Sequence, residues 1–171
     1  MEGSFAGDEP ESGLPVDRDA PVFVVREVEI SAPPASVWAV HTDVNRWPFW
    51  HPGVAASTLA GELEVGTAIH LRLDGMAVYS RVGEVVPGRL VAWSVQMFGA
   101  YGVQRWSLEE RGRRTLVRLE ESLGGWAPLL MRRTVRRTVE RSREAWLEAL
   151  RDRAEARARD EEGEGGNPSS G

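Results

Sequence analysis

Apolar and polar positions alternate along most of residues 22–122, and beyond Pro128 the apolar positions recur every three or four residues. "VFVVREVEI" (22–30) is dense in β-branched residues and predicts a strand. In "SAPPASVWAV" (31–40), Pro33 and Pro34 stop that strand and open a short helix. "HTDVNRWPFWHP" (41–52) packs aromatics, histidines and prolines together, and Pro48 and Pro52 limit it to short helical turns. Strand-like segments follow: "GTAIHLRLDG", "AVYSRVGEVVPG", "RLVAWSVQM", "YGVQRWSLEE" and "RRTLVRLEES", with "VAASTLAGELEV" a weaker one before them. The turns "LDGM", "VPGR", "FGAYG" and "ERGRR" join them as an antiparallel meander. From about Pro128 to Arg157, Met131, Val135, Val139, Ser142, Trp146, Ala149 and Arg153 mark one helical face, widened by Leu150. Such a helix is roughly 42 Å long, enough to lie across a sheet. The order is strand, two short helices, about six strands and one long helix. The fold class is α+β, a curved sheet burying its concave face against the helix.

Residues 1–20 and 158–171 are rich in acidic residues, Gly, Pro and Ser, and are expected to be disordered tails around one domain at 21–157. No apolar run is long enough for a membrane span, and the start lacks a secretory pattern, so a cytoplasmic location is expected. The absence of cysteine excludes disulfides, thiolate metal sites and cysteine nucleophiles. All 21 basic residues are arginine, which excludes Schiff-base and P-loop lysine chemistry. A net charge of −5 argues against general nucleic-acid binding.

The order of elements, with "EISAPPASVWAVHTDVNRWPFWHPGV", "VGT" (65–67), "EVVPGRLVAW" (84–93), "TLVRLEES" (115–122) and "WLEALRDRAEA", resembles the SRPBCC superfamily. This is the START-like, pollen-allergen-like superfamily, and the likeness is to its polyketide cyclase/dehydrase and lipid-transport branch. The resemblance implies a helix-grip: a seven-stranded sheet around the long helix, with a cavity between them. It also implies that Trp47, Phe49 and Trp50 form a wall or lid at the cavity mouth. Members of that branch often have histidine where this chain has Gln104, so an acid–base role resting on that histidine has no counterpart residue here.

Strand parity then sorts the candidates. Thr67, Ile69, Leu71 and Leu73 face inward and His70 outward; Val91, Trp93, Val95 and Met97 form one inner set, Gln104, Trp106 and Leu108 another. Thr115, Val117, Leu119 and Glu121 share the next inner face, and Val24, Arg26, Val28 and Ile30 the first strand's. A bulge between residues 76 and 110 would exchange these sets. With first and last strands adjacent, as the resemblance implies, Arg26 and Glu121 come within diagonal reach as a polar anchor. Leu71, Val82, Trp93, Trp106 and Val117 would give apolar contacts; Gln104, Arg26 and Glu121 would hold a ligand's polar end. Trp38 and Trp146 are assigned to helix packing.

Three functions fit. The first is a carrier or sensor enclosing a hydrophobic or polycyclic small molecule. The second is an aromatase/cyclase in which Glu121 moves protons if burial raises its pKa. The third is a protein-interaction module, with a closed cavity and a partner for "MRRTVRRTVERSR", which carries six arginines against one glutamate. Those arginines also suit a solvated helix face. His41, Asp43 and His51 are weighed as metal ligands, but residues two apart on a helix face different ways, and surface or hydrogen-bonded histidines are expected instead. No metal or cofactor is expected.

Overall fold

The computed structural model describes residues 13–165; the outer parts of both expected tails, 1–12 and 166–171, lie outside the described residues. The chain runs through β1 (Val22–Ile30), α1 (Pro34–Thr42), a 3₁₀ helix (Val44–Phe49), β2 (Val54–Leu59), β3 (Ala68–Leu73), β4 (Met76–Val86) and β5 (Leu90–Met97). It continues through β6 (Ala100–Arg111), β7 (Arg114–Gly124), α2 (Trp126–Leu130) and α3 (Arg132–Gly165). The seven strands form one antiparallel sheet in the order β1-β7-β6-β5-β4-β3-β2. Every neighbour pair but β1–β7 is adjacent in sequence, so a meander is closed by one long-range pairing. The α+β helix-grip expectation holds, including the seventh strand and the two short helices after β1.

The inner face follows the expected parity. Val91, Trp93 and Val95 of β5, Gln104, Trp106 and Leu108 of β6, and Val117, Leu119 and Glu121 of β7 are all buried. A register shift does occur in β4, between Val82 and Glu84. It falls after Val78, Ser80 and Val82 have turned inward, so it leaves the facing sets of β5 and β6 intact. Residues 13–20, expected as tail, lie against the outside of the sheet. Leu14 stands over Gly83, where a β-carbon would come within 2.8 Å of it, and the Asp17 N–H donates to Ser122 Oγ.

The long helix differs from its sequence pattern. It starts at Arg132, after a break at Met131, and runs 34 residues, about 51 Å. Its buried row is Val139, Arg143, Trp146, Leu147, Leu150, Ala154 and Ala158. Met131 and Arg153 are exposed, and Ser142 and Ala149 only half-buried. The expected face meets the buried row at Val139, Trp146 and Leu150 and misses it by one position at Ser142 and Arg153. Towards the C-terminal end, small Ala154 and Ala158 let α1 approach. There the Ser31 N–H donates to Glu155 Oε1 and the Ser36 hydroxyl to Glu161 Oε2.

Leu150 is fully buried between helix and sheet. Leu150→Ala should therefore cost about 2–5 kcal/mol in urea denaturation. A loss under about 1 kcal/mol would show that the sheet does not grip α3 at this point.

Candidate functional site

One cross-strand row defines the interior. Val82, Trp93, Gln104, Glu121 and Val24 stand opposite one another in turn across β4, β5, β6, β7 and β1. Adjacent side chains in such a row come within hydrogen-bond reach, and here they form a chain. The indole N–H groups of Trp93 and Trp106 both donate to Gln104 Oε1, at 3.0 and 3.3 Å. Gln104 Nε2 donates to Glu121 Oε1 at 3.0 Å. The amide orientation is thus dictated, since only its oxygen can accept from two indoles.

Glu121 is completely buried and is held by Arg143 of α3. Nε of Arg143 donates to Oε2 at 2.5 Å, and Nη2 to Oε1 at 3.0 Å. This two-point pairing matches the geometry of guanidinium and carboxylate. Both oxygens of Glu121 are engaged, which leaves it poorly placed to take a proton from a ligand. Arg143 lay inside the arginine-rich run assigned to a solvated face. Its signal was present in the spacing, four residues after Val139 and three before Trp146, and in the need of any interior carboxylate for a cation.

Arg26 does not take that part. Glu121 registers against Val24, whereas Arg26 stands opposite Leu119 at the rim, bonded to Glu140 and Glu144 of α3 at 3.3 and 3.2 Å. The expected Arg26–Glu121 pair is absent: parity was right, but the side chain lies where α3 turns its polar flank to β1.

The aromatic stretch also divides. Trp47 is buried and donates its indole N–H to the His41 carbonyl. Trp50 is half-buried, edge-on to Trp146 at 6.1 Å between ring centres. Phe49 is 78% exposed, under the Arg46 guanidinium, and takes no part in a lid. A 3₁₀ helix has three residues per turn, so positions 47 and 50 share a side and 49 does not. Trp146, assigned from sequence to helix packing, instead faces the interior, edge-on to Trp47 at 4.9 Å.

Between them remains a cavity of about 20 Å³, lined by Trp47, Leu71, Leu73, Val78, Ser80, Trp93, Val95, Gln104, Arg143 and Trp146. Of the expected contacts, Leu71, Trp93, Gln104 and Trp47 reach this wall. Val82, Trp106, Val117 and Glu121 are buried behind it.

Four buried polar atoms have no hydrogen-bond partner among the described residues: both ring nitrogens of His41, Nε2 of His51 and Nε1 of Trp146. His41 lies 4.3 Å from Trp106 and 5.5 Å from Trp93, ring centre to ring centre. It is neither a surface nor a hydrogen-bonded histidine, and burial lowers its pKa to about 3. His51 Nδ1 accepts from the Gly53 N–H, which puts the proton of a neutral ring on the unpartnered Nε2. Desolvation lowers the His51 pKa, opposed by Asp74 and aided by Arg143. Asp43 is exposed, and among the described residues no three His, Asp or Glu side chains come together as metal ligands.

Two predictions follow from this arrangement. Arg143→Met leaves buried Glu121 without its cation, and should cost about 3–5 kcal/mol. Adding Glu121→Leu should recover most of that loss in urea melts; a double variant as unstable as the single one would deny the coupling. The second concerns pH. His41 takes its proton near 3 when folded and near 6.5 when unfolded, so between these values only the unfolded chain is protonated. Its contribution is complete above pH 6.5 and falls as pH drops, by up to about 1.4 kcal/mol per unit. His41→Phe should flatten much of that slope between pH 6 and 4; an unchanged slope would place it elsewhere.

The comparisons agree with this geometry. The family model described as polyketide cyclase/dehydrase and lipid transport matches residues 21–155. No curated protein sequence matches the chain. Among solved structures, the Zhui aromatase/cyclase from Streptomyces sp. R1128 is similar at 22% identity and TM-score 0.71, over 79% of this chain and 94% of that one. A START superfamily protein from Mycobacterium smegmatis is similar at 17% identity and TM-score 0.67, over 78% and 97%. The hypothetical protein jhp0584 from Helicobacter pylori is similar at 18% identity and TM-score 0.71, over 90% and 99%. At these identities the structures speak for the fold alone. With the matched model spanning most of the sequence, the chain belongs to the polyketide cyclase/dehydrase and lipid transport family.

Proposed function

We propose that this protein binds an apolar, ring-bearing small molecule carrying oxygen acceptors, as a carrier or sensor, between Trp47, Trp93, Trp146 and Arg143. The observation that carries this reading is an unanswered donor in the cavity wall with a second beside it. The Trp146 indole N–H is buried without an acceptor, as is Nε2 of the adjoining His51, whose ring centre is 4.4 Å from that of Trp146. Arg143 lines the cavity and spends only part of its guanidinium on Glu121. A carbonyl or phenolic oxygen supplies what these groups lack, and indole faces suit a flat ring.

The cavity has room for about one water. Sites for drug-sized ligands span roughly 300–1,000 Å³, so entry requires Trp47 and Trp146 to part. Leaving a buried donor unpaired costs about 1–3 kcal/mol, and that penalty on the closed state favours a ligand that removes it. A filled cavity also fits a protein-interaction module; the unpaired donors favour a small molecule over that reading.

The test is tryptophan fluorescence titration with naringenin, a ring-bearing probe with several oxygens, and with palmitate. Naringenin is expected to bind the more tightly. Trp146→Phe, which keeps a ring but removes the donor, should weaken it about fivefold. Failure of both probes to bind would overturn the proposal, and an unchanged affinity in the variant would remove the indole donor from the site.

An enzymatic reading, an aromatase/cyclase, has one observation in its favour: Glu121 is a single hydrogen bond from the cavity wall through Gln104. It expects Glu121→Gln to abolish cyclisation of a poly-β-ketone while binding persists. A carrier shows no cyclisation in either form.

A further inference from the structure

The end of the molecule formed by the β5–β6 turn, α2 and the start of α3 has no role in the cavity. It nonetheless carries a group of large, exposed apolar side chains close together. Phe98 is 88% exposed, Leu130 77% and Leu129 67%, with Trp126 and Met131 about half exposed. These are held in place by the backbone. Gly99 and Gly125 both adopt positive φ, 76° and 109°, and lie so close that a β-carbon on Gly125 would come within 2.5 Å of the Gly99 carbonyl oxygen. That approach brings the Ala127 N–H onto the Gly99 carbonyl at 3.0 Å, and sets Trp126 edge-on to Phe98 at 5.5 Å. On its β4–β5 side the patch borders a shallow groove lined by Met76, Ala77, Tyr79, Gln96, Met97 and Phe98, and on its other side it runs into α3.

Arginines begin immediately behind it. Arg132, Arg133, Arg136, Arg137 and Arg141 are all exposed along the first three turns of α3. The one acid there, Glu140, is already engaged by Arg26 and Arg136. Arg132, Arg133, Arg137 and Arg141 make no ion pair among the described residues. Cations at a helix N-terminus oppose the backbone dipole, so stability of α3 gives no reason for them. The far end of the same helix carries Asp160, Glu161, Glu162 and Glu164, where anions are equally unfavourable. Charge is thus segregated along about 45 Å of helix in a chain whose net charge is −5.

We propose that this tip docks on an anionic lipid surface, Phe98, Trp126, Leu129 and Leu130 entering the acyl boundary and the α3 arginines meeting the headgroups. The dimensions agree. An apolar face buries about 5–10 Å into such a surface, and the helical rise sets Arg136 and Arg137 roughly 6 Å behind the first arginine pair. The acidic end of α3 is repelled by the same surface, so docking has one orientation.

The test is flotation of the full chain with vesicles of phosphatidylcholine alone or with phosphatidylglycerol. Binding is expected only with the anionic lipid, weakening as salt rises. Arg132→Gln, Arg133→Gln and Arg137→Gln together should weaken it about a hundredfold, at roughly fivefold per arginine. Leu129→Glu with Leu130→Glu should abolish it without lowering the melting temperature, because both side chains are already in water. Equal binding to both vesicle types, or none, would overturn the proposal. So would a lipid-free oligomer dissolved by the leucine substitutions, which would make the tip a contact between copies of this chain. RNA binding that needs the arginines and ignores the leucines would overturn it as well.

Discussion

The interior depends on one ion pair between a strand and a helix. Glu121 and Arg143 are both withdrawn from water, and neither is tolerable there without the other. Their pairing sets the azimuth of α3 on the sheet: a turn of the helix by one residue would carry the guanidinium off the carboxylate. Hydrophobic packing alone leaves such a rotation cheap, because one apolar side chain can replace another along the stripe. The pair also reaches outward through Gln104 to two indoles, so strand, helix and aromatic interior share one polar spine.

Around that spine the space is filled with rings. Trp47, Trp93 and Trp106 surround His41, Trp146 stands edge-on to Trp47, and their packing leaves almost no free volume. A histidine kept neutral in this way behaves as a small aromatic rather than as an acid or base. The same crowding leaves the Trp146 and His51 donors without partners, since side chains packed for shape have no oxygen to offer them. Tight packing and incomplete polar satisfaction therefore have the same cause.

Much of this was legible in the sequence, and the failures have identifiable physics. The alternation of Trp93 and Val95 with polar neighbours, and of Gln104 with Trp106, determined the inner face because a strand has only two sides. Helix faces are less forgiving. The expected face held Val139, Trp146 and Leu150, but taking Ser142 and Arg153 in place of their neighbours Arg143 and Ala154, each about 100° round the helix, hid Arg143 among five arginines that do face water. Phe49 reads like its tryptophan neighbours until the three-residue turn of the 3₁₀ helix separates them. Arg26 was assigned the correct face, but register, which alternation does not reveal, paired Glu121 with Val24. The projecting tip escaped notice because "FGAYG" and "WAPLLM" are a turn and a helix start in sequence, and become one surface only when Gly125 brings them together.

The fixed amide of Gln104 has a consequence for how this protein can change over generations. Its single oxygen serves two indoles while its nitrogen serves a carboxylate, and no other neutral side chain of that size offers two acceptances and a donation at once. A histidine there would have one acceptor nitrogen, sufficient for one tryptophan. Replacing the amide alone would leave a buried indole N–H unanswered, at a cost of about 1–3 kcal/mol, so a change at position 104 is cheapest when position 93 or 106 changes with it.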